Sequence, residues 1–160
     1  MIRIRPYMPS DGDSILSWCR DERGFYQWTA GIIGEYPPTA ERFDSLGRLI
    51  RFTAIDEKEI VGFFTMRNPG DTLDELRFGF VILDPAKRGK GLGKEMLRLG
   101  IRYAFDIYGA KRVSLGVFEN NPSAYFCYKA AGFRDVVPDT QESYRVLGED
   151  WNCRELALER

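Results

Sequence analysis

The sequence predicts an α/β domain with a mixed, mostly antiparallel sheet, and three patterns carry that reading. Phe78–Leu83 is an apolar run too short for a helix. It leads through a glycine-rich turn into an amphipathic helix and on to a second apolar run, Val113–Phe118, which makes one strand–helix–strand unit with a right-handed crossover. Leu49–Ile55 and Ile60–Arg67 are strand-like segments joined by the charged turn Asp56-Glu57-Lys58-Glu59, as in a hairpin. At 160 residues, 44% hydrophobic and 29% charged, the chain has the size and composition of one core, read as a single domain over residues 1–160.

Taken in order, Ile2–Tyr7 alternates Ile2 and Ile4 with Arg3 and Arg5 and reads as a first strand with one solvated face. Pro9-Ser10-Asp11 offers caps for a helix over about Asp13–Arg20, with Ile15, Leu16 and Cys19 toward the core. Phe25–Thr39 sets Phe25, Tyr26, Trp28 and Tyr36 among Gly24, Gly31, Gly34, Pro37 and Pro38. Two readings of it stand: a mobile wall over a site, with Trp28 and Tyr36 toward a substrate, or rings that plug the end of the core. Ala40–Leu46 reads as a short second helix, and the polar loop Asn68–Asp74 leads from the hairpin into the strand that ends at Asp84-Pro85, where proline cannot continue the ladder.

The helix after the glycine turn spaces Lys94, Arg98, Arg102 and Asp106 four apart and sets Leu97, Ile101, Ala104 and Tyr108 on another face, ending at Gly109. Asn121 is a natural N-cap with Pro122 at the first helical position and Gly132 just past the end, so a three-turn helix lies between them. Ala124, Tyr128 and Ala131 share one face of it. Two alanines around one tyrosine let a ligand approach closely with a phenol pointing at it; a plain core tyrosine is the alternative. Phe133–Val137 and Asp150–Glu159 read as two closing strands.

Composition excludes whole classes of function. The net charge of −1 makes the basic stretch around Arg88 a local feature and argues against a nucleic-acid-binding surface. No apolar run nears the roughly 20 residues a bilayer span needs, and Met1–Tyr7 lacks the apolar core of a signal peptide, so the expectation is a cytoplasmic protein without membrane association. Cys19, Cys127 and Cys153 are too widely spaced for a disulfide framework or a zinc site, and no metal is expected. With no histidine anywhere, chemistry that needs an imidazole is excluded, and acid–base work falls to carboxylates, tyrosines, cysteines, lysines or water.

The densest chemistry lies in Arg88-Gly89-Lys90-Gly91-Leu92-Gly93. Glycines at alternate positions remove the Cβ atoms that keep a ligand from the backbone, so successive N–H groups at a helix N-terminus can converge on an anion. Lys87, Arg88, Lys90, Lys94 and Arg98 add positive charge around it, with Glu95 the only acid. The spacing fits neither a P-loop, since Lys94 is followed by Glu95 and no Gly-x-x-x-x-Gly-Lys-Ser/Thr can be read, nor a dinucleotide fingerprint, since the glycines give G-x-G-x-G.

Two motifs together resemble the GNAT acetyltransferase superfamily. Arg88–Gly93, preceded by Leu83-Asp84-Pro85, is similar to that family's Arg/Gln-x-x-Gly-x-Gly/Ala pyrophosphate loop. Asn121-x-x-Ala124-x-x-x-Tyr128-x-x-x-Gly132-Phe133 is similar to its second motif. The resemblance implies a central mixed sheet of about seven strands flanked by about four helices and splayed between residues 75–83 and 111–118. It implies acetyl-CoA as cosubstrate and an amine acceptor, attacked directly in a ternary complex. Val81, Ile82 and Leu83 would pair with the pantetheine, Arg88, Gly89, Lys90, Gly91, Leu92, Gly93 and Lys94 would hold the pyrophosphate, Asn121 would bond the pantetheine arm or cap, and Tyr128 would give its proton to the leaving thiolate.

The acceptor amine must lose a proton. A lysine-like amine is only about 0.04% neutral at pH 7 and an α-amino group near ~14%, so a peptide N-terminus needs less help from a base. Glu75, acting directly or through water, is the leading candidate base, a solvated strand-end carboxylate beside Asp74 being its other reading, and Glu41 and Glu119 are the alternatives. A non-catalytic CoA-binding module is the competing reading. Among small amines, amino-acid derivatives and protein N-termini the sequence does not choose, and the aromatics of Phe25–Tyr36 suit an acceptor wall and a homodimer interface equally.

Overall fold

The computed structural model describes residues 1–160. Its strands are β1 (Ile2–Pro6), β2 (Ile50–Asp56), β3 (Glu59–Arg67), β4 (Glu75–Leu83), β5 (Arg112–Phe118), β6 (Arg134–Val136), β7 (Ser143–Val146) and β8 (Glu149–Glu159). Its α-helices are α1 (Gly12–Ser17), α2 (Glu22–Thr29), α3 (Ala40–Asp44), α4 (Leu92–Arg102) and α5 (Pro122–Ala131). The sheet runs β1-β2-β3-β4-β5-β8-β6 with β7 added on β8, and only the β4–β5 pair is parallel. This is the mixed, mostly antiparallel sheet the sequence predicts. No helix is long and apolar enough to cross a membrane.

Alternation along the strands sends one set of side chains to each face, and each face has its own core. On one, Leu97 and Ile101 of α4 and Tyr128 and Ala131 of α5 pack against Phe64, Met66, Leu76, Phe78, Val113 and Leu115. On the other, Ile15 of α1, Phe25 of α2 and Phe43 of α3 pack against Phe63 and Ile82. Fully buried side chains such as Leu97, Phe63 and Phe64 each contribute roughly 1.5–3 kcal/mol. The α4 contact is close enough to need a glycine, because a Cβ on Gly100 would stand 2.7 Å from Phe78 Cε1.

Two elements differ from the expectation. The aromatic segment after Arg20 begins as α2, where the Asp21 carboxylate accepts from Gly24 N at 2.6 Å and Ala30 ends the helix at φ 52°. The glycine and proline punctuation obscures this cap, which satisfies one of the free N–H groups of the first turn. The second is β7, a strand added as a hairpin onto β8 through Leu147 and Gly148, both at positive φ (50° and 77°). A leucine in that conformation is uncommon, so no turn signal marks it. The helix after the glycine turn does reach Gly109, but its last stretch, Tyr103–Tyr108, is π-helical.

β4 and β5 pair only at Glu75↔Arg112, Leu76↔Val113 and Arg77↔Ser114, and then part. On its other edge β4 carries a bulge: Phe63 lies opposite Ile82 but Thr65 opposite Gly79, so three steps on β4 match two on β3. Phe80, inside this irregularity, sits at φ 48°. The extra residue re-aims the strand. The result is a V-shaped opening between β4 and β5, the splay expected between residues 75–83 and 111–118.

Candidate active site

A cavity of about 1280 Å³ occupies this opening, and the residues around it come from both faces of the sheet. At one end lies the glycine turn. Asp84 accepts from Ala86 N at 2.9 Å and Pro85 opens a short 3₁₀ turn, which ends β4 and aims the chain at α4. Gly89 and Gly91 then take left-handed conformations at φ 79° and 78°, and a Cβ on either would meet nothing within 4 Å. Glycine is therefore required here by backbone conformation, and the space above it is open.

The N–H groups of Leu92, Gly93 and Lys94 find no acceptor in the protein, since the first helical bond at this end runs from Glu95 N to Gly91 O. Free donors, the positive end of α4 and the side chains of Arg88 and Lys94 suit an anion. Lys87 is committed elsewhere, with Nζ 2.6 Å from Glu59 Oε2.

α5 supplies the middle of the site. Asn121 Oδ1 accepts from Ala124 N at 3.3 Å, and Gly132 at φ 115° closes the helix, so Asn121 and Tyr128 are held on a rigid element. Tyr128 is 7% exposed, lines the cavity and makes no hydrogen bond within the protein. Burial, and to a lesser degree Cys127, pushes its phenol well above the ordinary value of 10, so it keeps its proton at neutral pH. Cys127 and Lys94 stand nearby, and burial raises the Cys127 thiol against the pull of Lys94.

The far end opens on the α2 face. Its walls include Trp28, Phe118 and Tyr144, the charged groups Arg67, Arg77, Glu142 and Glu155, and Arg23 of α2, whose guanidinium is paired with Glu149. Arg77 binds both oxygens of Glu155, at 2.5 and 3.0 Å, and donates to Ser114 Oγ at 3.2 Å. Burial works against the Arg77 charge, and the Glu155 carboxylate more than restores it. Glu142 accepts from the Tyr144 hydroxyl at 3.2 Å. The indole Nε1 of Trp28 is buried without an acceptor.

Of the residues singled out from sequence, the cavity gathers Val81, Ile82, Leu83, Arg88, Gly89, Gly91, Leu92, Gly93, Lys94, Asn121, Tyr128 and Trp28. Lys90 is exposed outside it. Tyr36 does not reach it and packs 5.7 Å from the Phe25 ring, in the core plug that was the alternative reading. Glu75 is also absent from its walls: the carboxylate accepts from Ser114 Oγ at 2.6 Å and lies 3.7 Å from Arg112 Nε, where β4 and β5 are still paired. Glu41 and Glu119 lie outside too. Glu142, Glu155 and Arg77 were missed. Arg77 falls on the strand face opposite Leu76 and Phe78, a signal the alternation of β4 does carry, but Glu142 belongs to the loop before the unseen β7.

The profile of the acetyltransferase (GNAT) family matches residues 13–133. A mycothiol acetyltransferase of Corynebacterium efficiens is 42% identical over 79 residues, which cover 49% of this chain and 25% of that protein. The spermine/spermidine N(1)-acetyltransferase of Bacillus subtilis is 42% identical over 52 residues, 32% of this chain and 34% of that protein. A mycothiol acetyltransferase of Rhodococcus erythropolis is 31% identical over 144 residues, reaching 82% of this chain and 46% of its own. The chain thus spans less than half the length of these curated relatives. Among solved structures, the spermidine N-acetyltransferase from Vibrio cholerae in complex with CoA and spermine shares the fold at a TM-score of 0.81, with 17% identity over 99% of this chain and 95% of that one.

Proposed function

The chain belongs to the acetyltransferase (GNAT) family, and from that premise we propose that it transfers the acetyl group of acetyl-CoA to a primary amine by direct attack within a ternary complex. One observation carries the reading: a single cavity passes through the β4–β5 opening, with unpaired backbone donors at one end, the unpartnered Tyr128 hydroxyl between, and a separate polar and aromatic end beyond. A cosubstrate and an acceptor can then meet from opposite faces of the sheet.

In this mechanism the glycine turn, Arg88 and Lys94 hold the pyrophosphate through N–H groups and charge. The parted edge of β4 at Val81–Leu83 pairs with the pantetheine as an added strand would, and a backbone N–H near Val81 or Ile82 polarises the thioester carbonyl. The amine attacks the carbonyl carbon, the C–S bond breaks, and the thiolate takes the Tyr128 proton. Burial keeps the phenol protonated at neutral pH, so its proton is in place as a hydrogen-bond donor when the thiolate forms, although the same burial makes it a weaker acid than an exposed tyrosine. Glu75 stands behind the cavity wall, linked to Arg77 only through the Ser114 hydroxyl, so in this reading the amine proton leaves through water or through Glu142, a carboxylate that lines the far end and has no ion pair.

Calorimetric titration with acetyl-CoA, CoA and ATP, followed by a free-thiol assay with amines, tests this. Micromolar acetyl-CoA binding without ATP binding, and amine-dependent thiol release, are expected. Folded protein that binds no acetyl-CoA would sink the reading.

A further inference from the structure

We propose that the acceptor is an amine bearing its own carboxylate, an amino acid with an apolar side chain, and that Arg67 together with Arg77 holds that carboxylate. The inference rests on the acetyl-transfer reading above and names its substrate class. Arg67 of β3 and Arg77 of β4 are register partners, so they share a face of the sheet, and both line the far end of the cavity. Partners of this kind hold their Cβ atoms roughly 4.5–5.5 Å apart, and like charges placed so repel. Arg77 is neutralised by the bidentate Glu155. Arg67, exposed at the end of β3, has neither an ion pair nor a hydrogen bond from its side chain, so the rim of this end keeps one positive charge that only solvent meets.

The same end holds one negative charge in the same condition. The exposed Glu142 carboxylate has the Tyr144 hydroxyl as its one hydrogen-bond partner and forms no ion pair, with the Arg77 charge near enough to feel it. A wall with one free guanidinium and one free carboxylate complements a zwitterion: the carboxylate forks onto Arg67 beside Arg77, and the amine turns toward Glu142 and the thioester. A polyamine, by contrast, has no carboxylate to offer Arg67 and would bring a cation against it. Trp28, Phe118 and Ile32 along the same cavity give an apolar side chain its surface.

The test is thiol release at saturating acetyl-CoA with L-leucine, L-methionine and L-phenylalanine, the carboxamide of each, and spermidine. The best acid should exceed its carboxamide roughly 10–100-fold in kcat/KM, mostly through KM, the range expected for a lost charge-assisted hydrogen bond. The carboxamide amine is less basic and more often neutral, so the comparison is weighted against the proposal. Arg67→Gln should bring the ratio close to one and Arg67→Lys should retain part of it, with acetyl-CoA affinity kept in both. Release with spermidine or the carboxamides at least as fast as with the acids, or a ratio that Arg67→Gln leaves unchanged, would overturn the inference alone. No release with any amine would overturn the acetyl-transfer reading, and this inference with it.

Discussion

Arg5 and Asp11 are joined by two hydrogen bonds of 2.7 Å, and the same carboxylate also accepts from Met8 N at 2.9 Å and Thr53 Oγ1 at 2.8 Å. Asp11 is 2% exposed and lies where β1, β2 and the start of α1 meet. Burial opposes its charge, yet the bonds from Arg5, Met8 and Thr53 hold its pKa below the ordinary 3.8. Asp11→Ala leaves the Met8 N–H and the buried Thr53 hydroxyl without their acceptor, while Arg5 can turn to solvent, so it should cost about 1–3 kcal/mol in urea unfolding at pH 7.

The pH dependence of that cost has a definite sign. Because folding lowers the Asp11 pKa, its stabilisation is complete above the unfolded value near 3.8 and disappears as pH falls through the lower folded value. The gap between wild type and Asp11→Ala should therefore narrow below about pH 4. A gap that widens on acidification would mean the pair does not hold the fold as described.

Tyr128→Phe keeps the ring that packs 6.4 Å from Phe133 and removes only the hydroxyl. Turnover should fall about 10–1000-fold while acetyl-CoA affinity, read by calorimetry, stays within a few-fold. Equal loss of affinity and turnover would make Tyr128 a binding residue instead of an acid.

How much of this is legible in the sequence depends on how local each signal is. The glycine turn and α5 are, because their caps and left-handed glycines lie within a dozen residues of the side chains they position; Asn121, Pro122 and Gly132 act where they were read. The far end of the site is not local. It forms where β3, β4, β5 and β8 stand side by side: Arg67 and Arg77 face each other across one hairpin, but Glu155 reaches Arg77 from 78 residues along the chain. Glu75 shows the limit most directly: it is on the expected strand, but its placement depends on Ser114 and Arg112, which only the parallel register brings to it. Trp28 and Tyr36 sit eight residues apart in one aromatic segment and both pack on the core of the α2 face, but only Trp28 also reaches the cavity.

Gly91→Val tests the cradle. At φ 78° an L-residue is strained by roughly 1–2 kcal/mol, and a branched Cβ would also fill the open space above the turn. Acetyl-CoA affinity should drop at least about tenfold with little change in the rate of bound enzyme. Gly91→Ala carries similar backbone strain with far less bulk, so an equal loss in both variants would assign the effect to strain and not to blocked approach.

The three cysteines offer a check that needs no acceptor. All of them line the cavity, yet burial pushes Cys19 up to about 12 and Cys153 to about 11, and it raises Cys127 as well. At pH 8 a thiol of pKa 11 is only about 0.1% thiolate against roughly 10% for one at 9, so labelling of Cys153 by a chromogenic disulfide should run about a hundredfold slower than that of a free thiol. Cys127 sits where a Cβ on Gly93 would come within 3.1 Å of its sulfur, at the seam between the glycine turn and α5. A cosubstrate seated on that turn covers this seam, so acetyl-CoA should slow Cys127 labelling in proportion to its occupancy, measured by peptide mapping after a timed quench. Fast, equal labelling of all three would contradict the burial, and labelling of Cys127 unaffected by saturating acetyl-CoA would move the cosubstrate off the turn.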